Sequence, residues 1–212
     1  MAGVKQKREK SATNSLIEFV VIIAVALGLA IGIQAFLVKP FRIPSPSMVP
    51  TLAVGQRVLV NRIGTHFGDP SRGDVVVFKP PAGANSNRCG IPSEPADGHP
   101  CGKPTADRSQ DNFIKRVIGL PGDTIAVKGN HAIVNGKQLD EPYVNKPAFE
   151  PGGCSNLCNL PKPITVPKGY FFMMGDNRGE SDDSRDWGPV PKEWIIGGAF
   201  FTYWPPSRIG TL

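Results

Sequence analysis

The stretch NFIKRVIGLPGDTIAVKGNHAIVNGKQ, residues 112–138, decides the fold. Residues 113–118 form a short β-rich run, and 124–128 and 131–134 form two more, separated by Gly129-Asn130 and closed by Asn135-Gly136. Short runs joined by two-residue Gly/Asn turns predict a meander of small hairpins. Working outward, similar runs recur at 57–61, 74–79, 170–174 and 199–204, and a short helix is expected at 192–196. No 3.6-residue apolar period survives in this part of the chain. With 22 prolines and 24 glycines, turns should outnumber helices, which predicts an all-β domain.

One segment breaks that pattern. Residues 16–38 are apolar except for Glu18 and Gln34, and roughly 20 apolar residues suffice for a helix to cross a hydrocarbon core. The run is longer than the ~7–15 residues of a cleavable signal's apolar region, so a retained anchor is expected. Lys5, Lys7, Arg8 and Lys10 precede it, which predicts a cytoplasmic N-terminus and an extracytoplasmic domain after Val38. The chain thus divides into a basic N-terminus (1–15), a transmembrane anchor (16–38) and a domain at 39–212. Gly28 and Gly32 have the spacing that lets two membrane helices approach, though glycine is common in such helices. The net charge of +6 is explained in part by the N-terminal cluster; elsewhere cations and carboxylates are interspersed, so no nucleic-acid partner is expected.

Residues 82–111 and 141–167 are rich in Pro, Gly, Ser, Asn and Asp and read as loop insertions. They hold all four cysteines, Cys89, Cys101, Cys154 and Cys158, on the side that topology makes oxidising, which favours disulfides. Three pairings are open; Cys89–Cys101 and Cys154–Cys158 would each staple one loop. A four-cysteine zinc site is the alternative, although neither pair has the short spacing usual for structural zinc. No metal and no cofactor is expected.

Three blocks carry candidate chemistry. In PSPSMVPT (44–51), prolines 44, 46 and 50 should forbid a helix and hold Ser45 and Ser47 on a stiff, extended path. In NFIKRVIG, strand alternation sends Lys115 to one face and Arg116 to the other. A lysine flanked by apolar groups is desolvated, and its amine can then act as a base. Alone, the first block also reads as a juxtamembrane linker and Lys115 as a surface lysine. The third block, GDNRGESDDSRDWG (175–188), is dense enough in opposite charges for a buried network. Asp176 is expected to pair with Arg116 or Arg178 and Asp183 with Arg185, while Ser181 would hold the lysine amine.

PSPSMVPT, KRVIGLPGD and GDNRGESDDSR, in this order behind one anchor, resemble the characteristic boxes of bacterial type I signal peptidases. The resemblance runs from about Phe36 to Gly210. It implies a membrane-bound serine endopeptidase that removes signal peptides by a Ser–Lys dyad within an all-β catalytic core. By that match Ser47 is the nucleophile, Lys115 the general base, Ser45 an oxyanion-hole hydroxyl and Ser181 the residue orienting the lysine. Phe41, Ile43, Pro44, Met48, Leu52 and Ile114 would line pockets for small residues at positions −1 and −3. Arg116, Asp176, Asp183 and Arg185 would form supporting ion pairs. Exported preproteins and the lipid bilayer of the cytoplasmic membrane are the implied partners, with the secretion machinery a further candidate.

The rival enzyme, a histidine-based triad, would draw on His66, His99 or His131, none beside a nucleophile motif. The rival outside enzymology is a membrane-tethered module that binds exported chains without cutting them. A damaged dyad would favour it, and both Ser47 and Lys115 are present.

Overall fold

The structure, a computed structural model, describes residues 12–84, 107–145 and 158–212. It separates into two units, 1–38 and 39–212. The first is helix α1, Ala12–Phe36, within which Ser15–Ile33 is long and apolar enough to cross a membrane.

The second unit is mainly β. Its strands are β1 Val38–Arg42, β2 Arg57–Asn61, β3 Val75–Phe78, β4 Phe113–Gly119, β5 Thr124–Lys128, β6 His131–Val134, β7 Lys137–Gln138, β8 Leu160–Thr165, β9 Tyr170–Met174, β10 Val190–Pro191, β11 Ile195–Trp204 and β12 Gly210–Thr211. Among the described residues, two four-residue helices, α2 Gly64–Phe67 and α3 Ser184–Trp187, interrupt them. An eight-stranded sheet runs β1-β2-β11-β3-β4-β9-β10, with β12 on β11, and a four-stranded sheet runs β7-β6-β5-β8.

The hairpins read from 112–138 are present. Gly129, Asn130, Asn135 and Gly136 all have positive φ (55°, 66°, 52° and 78°), the left-handed backbone that two-residue hairpin turns demand and that Gly and Asn tolerate. Three expectations need correction. The prolines of PSPSMVPT do not exclude a helix: Pro46–Met48 forms one 3-10 turn, because proline at the first helical position gives up only an N–H that needs no helical partner. The helix expected at 192–196 shrinks to the 3-10 turn Lys192–Trp194, after which β11 begins. The 141–167 insertion is in part framework, since Leu160–Thr165 is β8, paired with β5.

Among the described residues, three apolar clusters pack the second unit. Ile43, Met48, Leu52, Val58, Val60, Val75, Val77 and Ile114 form the one beneath the PSPSMVPT segment. Trp187, Phe78, Phe171, Met173 and Val117 centre a second, and Ile125, Val127, Phe172 and Met174 a third that joins the two sheets. β4 contributes to all three, through Ile114, Val117 and Ile118.

Candidate active site

Ser47 sits where the chain turns sharply after β1. Met48 and Leu52, both fully buried, pull the turn onto the apolar cluster, and Val49 N–H closes it on the Pro46 carbonyl at 2.9 Å. From the other side Asn177 donates its backbone N–H to the Ser47 carbonyl (3.0 Å) and its side-chain amide to the Pro46 carbonyl (3.3 Å). The serine is therefore clamped on both flanks.

Lys115 approaches from β4, opposite Val76 of β3. It is 3% exposed, and its Nζ lies 2.6 Å from Ser47 Oγ in a hydrogen bond. The same nitrogen stands 5.6 Å from the centre of the Phe113 ring. Burial lowers its pKa from the usual 10.5 to about 8; Asp183 and Asp182 pull upward and Arg185 downward, but desolvation prevails. Ser45 Oγ is 3.3 Å from Ser47 Oγ, on the stretch that leads into the Pro46–Met48 turn.

The acidic block surrounds this pair. Asp176 takes Arg116, not Arg178, in a two-pronged bond (Nε–Oδ1 2.9 Å, Nη2–Oδ2 2.6 Å) and also accepts from Thr51 Oγ1. Asp183 takes Arg185 the same way (Nε–Oδ1 2.8 Å, Nη2–Oδ2 2.9 Å), with both residues fully buried. Burial pushes the Asp183 carboxyl up, but Arg185 outweighs it and holds the group below the ordinary carboxylate range. Asp183 also caps α3, while Asp186 beside it is pushed by burial to about 7. Ser181 Oγ donates to Asp183 Oδ2 at 2.8 Å, not to Lys115. It nonetheless borders the Ser47 segment: a Cβ placed on Gly175 would lie 2.2 Å from Ser181 Oγ and 2.5 Å from the Ser47 carbonyl oxygen. Only glycine allows these segments to close on one another.

A cleft of about 300 Å³ opens over the pair, lined by Pro44, Ser45, Ser47, Asn112, Phe113, Ile114, Lys115, Glu180 and Asp182. Of the residues expected to line substrate pockets, Pro44 and Ile114 face this cleft. Ile43, Met48 and Leu52 are buried in the cluster below it, with Phe41 packed against them. The pairing of Arg178 with Glu141 went unforeseen: both side chains are buried and bonded two-pronged, and Arg178 Nε also donates to the Gly175 carbonyl at 2.9 Å. Tyr143, 4.0 Å beneath the Arg116 guanidinium, belongs to the same short segment. A buried arginine demands an anion, yet Glu141 lies 37 residues away in a stretch that looks like loop. Cys158 is disulfide-bonded; Cys89, Cys101 and Cys154 lie outside the described residues, as does His99.

A serine hydroxyl hydrogen-bonded to a desolvated amine, with carboxylate–arginine pairs behind it, is an arrangement in which an amine could serve as base for a serine nucleophile, as in serine hydrolases. Residues 16–204 match the family model described as signal peptidase, peptidase S26. The chain belongs to that family. It is 37% identical over 208 residues to a probable signal peptidase I-2 from Synechocystis, covering 98% of this chain and 82% of the relative. A signal peptidase I from Leptolyngbya laminosa is 36% identical over 204 residues (96% and 87% covered), as is signal peptidase IB from Staphylococcus aureus over 204 residues (92% and 93%).

Proposed function

We propose that this chain cleaves signal peptides from exported preproteins with Ser47 as nucleophile and Lys115 as general base. The observation that carries this reading is the 2.6 Å approach of Nζ to Oγ inside a site from which burial has stripped the amine's solvation. With the pKa near 8, about a tenth of the lysines are neutral at pH 7, enough to keep a reactive population. Neutral Lys115 takes the Ser47 proton as Oγ attacks the scissile carbonyl. The resulting ammonium then protonates the leaving amine of the mature chain, and Lys115, neutral again, activates the water that releases the signal peptide from Ser47. Ser45 Oγ and the Ser47 N–H stabilise the oxyanion, each such donor contributing about 3–4 kcal/mol in comparable enzymes.

Substrate lies extended beside β1, an edge strand, and its small −1 and −3 side chains enter the shallow apolar surface around Pro44 and Ile114. Helix α1 anchors the enzyme in the cytoplasmic membrane, with the basic N-terminus inside and the catalytic unit outside. The test is mass spectrometry of a purified preprotein bearing an Ala-x-Ala site, incubated in detergent with wild type and with Ser47→Ala. A single cut after the −1 alanine, lost in Ser47→Ala, is the expected result. No cut by folded wild type moves the reading to a tethered binding module, and a cut that survives in Ser47→Ala points to another nucleophile.

A further inference from the structure

The charged network behind the dyad does not end in the eight-stranded sheet. It crosses to the smaller sheet at Asn130, in the turn between β5 and β6, a residue with no exposed surface and a left-handed backbone of φ 66°. Its N–H donates to the Cys158 carbonyl at 2.8 Å. Its own carbonyl accepts from Arg178 Nη1, and its side-chain oxygen accepts from Arg185 Nη1 at 3.3 Å. One turn residue thus meets both buried arginines of the acidic block.

Arg185 spends its remaining donors on the active-site loop. Besides the two oxygens of Asp183, Nη2 reaches the Arg178 carbonyl at 2.8 Å and the Ser181 carbonyl at 3.1 Å. Asp183 Oδ2 in turn receives Ser181 Oγ (2.8 Å) and Gly175 N–H (2.9 Å), and Gly175 is the residue whose missing side chain lets Ser181 and the Ser47 carbonyl close in. A guanidinium holds a fixed fork of five donors, so its orientation is set by whichever acceptors surround it. Asn130 supplies the acceptor that comes from outside the loop. Glycine would suit the left-handed turn at least as well but has no side-chain oxygen.

We propose that Asn130 is a positioning residue for the cleavage reaction: its side-chain oxygen fixes Arg185 and, through Asp183, the placement of Ser181 and Gly175 against Ser47 and Lys115. The smaller sheet, otherwise remote from substrate, then acts as the back-stop of the catalytic loop. This assignment rests on the Ser47–Lys115 reading.

The experiment measures kcat and KM for a peptide with an Ala-x-Ala site, using the full chain in detergent at a pH above 9, where Lys115 is neutral. Asn130→Gly keeps the turn and both backbone bonds and removes the side-chain carboxamide, with the oxygen that faces Arg185. It should lower kcat about tenfold with KM within about twofold, a fraction of the ~10²-fold that a 1 Å misplacement costs. Asn130→Asp, which restores the acceptor, should bring kcat back to within about twofold of wild type. Asn135→Gly serves as control: it removes the equivalent residue of the neighbouring turn, whose side chain holds Thr124 N–H and Asp123, and should cost stability without changing kcat. If Asn130→Gly does not fold, Asn130→Ser, whose hydroxyl is too short to reach Arg185, is expected to show the same loss. An unchanged kcat in the folded variant, an equal loss in Asn135→Gly, or no recovery in Asn130→Asp would overturn the proposal. Ser47→Ala in the same assay separates the two readings, since cleavage that survives it refutes the dyad rather than the role of Asn130.

Discussion

Lys115→Met should abolish cleavage and at the same time make the protein more stable. Lysine and methionine have similar length and volume, so the substitution removes the amine without opening a cavity. The drop in pKa from 10.5 to about 8 means that burying the ammonium costs about 3 kcal/mol, at ~1.4 kcal/mol per tenfold change in proton affinity. Because the folded value lies below the unfolded one, that cost is present in full below pH 8. It is relieved between pH 8 and about 10.5, as the unfolded chain loses its advantage in binding the proton. At pH 7 the variant should therefore unfold roughly 6–12 °C higher than wild type, taking about 2–4 °C per kcal/mol for a domain of this size. The difference should shrink steadily above pH 8. The assay is thermal unfolding of both full chains in one detergent from pH 6 to pH 10, followed by tryptophan fluorescence. A variant less stable than wild type at pH 7, or a gain that persists undiminished at pH 10, would refute the claim that Lys115 is held in a desolvated site.

The same group sets the pH dependence of the reaction. Cleavage by wild type should rise with pH through an apparent pKa of about 8 and level off above it, and a profile flat from pH 6.5 to 9 would remove Lys115 as the base. Gly175→Ala should lower kcat by a factor on the order of 10² or more, because the new Cβ falls 2.5 Å from the Ser47 carbonyl oxygen; near-normal turnover would show that the segments are free to separate. Asp183→Asn leaves Arg185 buried without its counter-charge and should cost roughly 3–5 kcal/mol in denaturant unfolding, whereas a loss under about 1 kcal/mol would contradict the burial described.

The hairpin block was legible because its turns advertise themselves: Asn130 and Asn135 adopt backbone angles that few other residues tolerate, and the strands between alternate cleanly. β8 was hidden by its own composition. LPKPIT carries Pro161 and Pro163, which read as loop, yet β8 is the outermost strand of its sheet, where a missing N–H leaves no ladder bond unmade. The start of β11 was obscured by Gly197 and Gly198, which look like a break. Gly197 is required there because a Cβ would come within 2.2 Å of the Asn61 carbonyl oxygen on the paired strand. Within the site, motif residues such as Asp183 and Arg185 lie close in sequence and their pairing could be guessed. Glu141 and Asn130 could not, since their partners sit 37 and 55 residues away and burial, not spacing, selects them.

Ser47 and Lys115 are 68 residues apart in sequence, and Lys115 lies on β4, which is paired with β3. A chain still being synthesised therefore exposes Ser47 well before any residue exists to accept its proton, and the hydroxyl stays as inert as any alcohol in water. In the folded sheet Lys115 is both buried and in contact with Ser47. On the proposed Ser47–Lys115 reading, activity is therefore a property of the folded sheet and not of either segment alone.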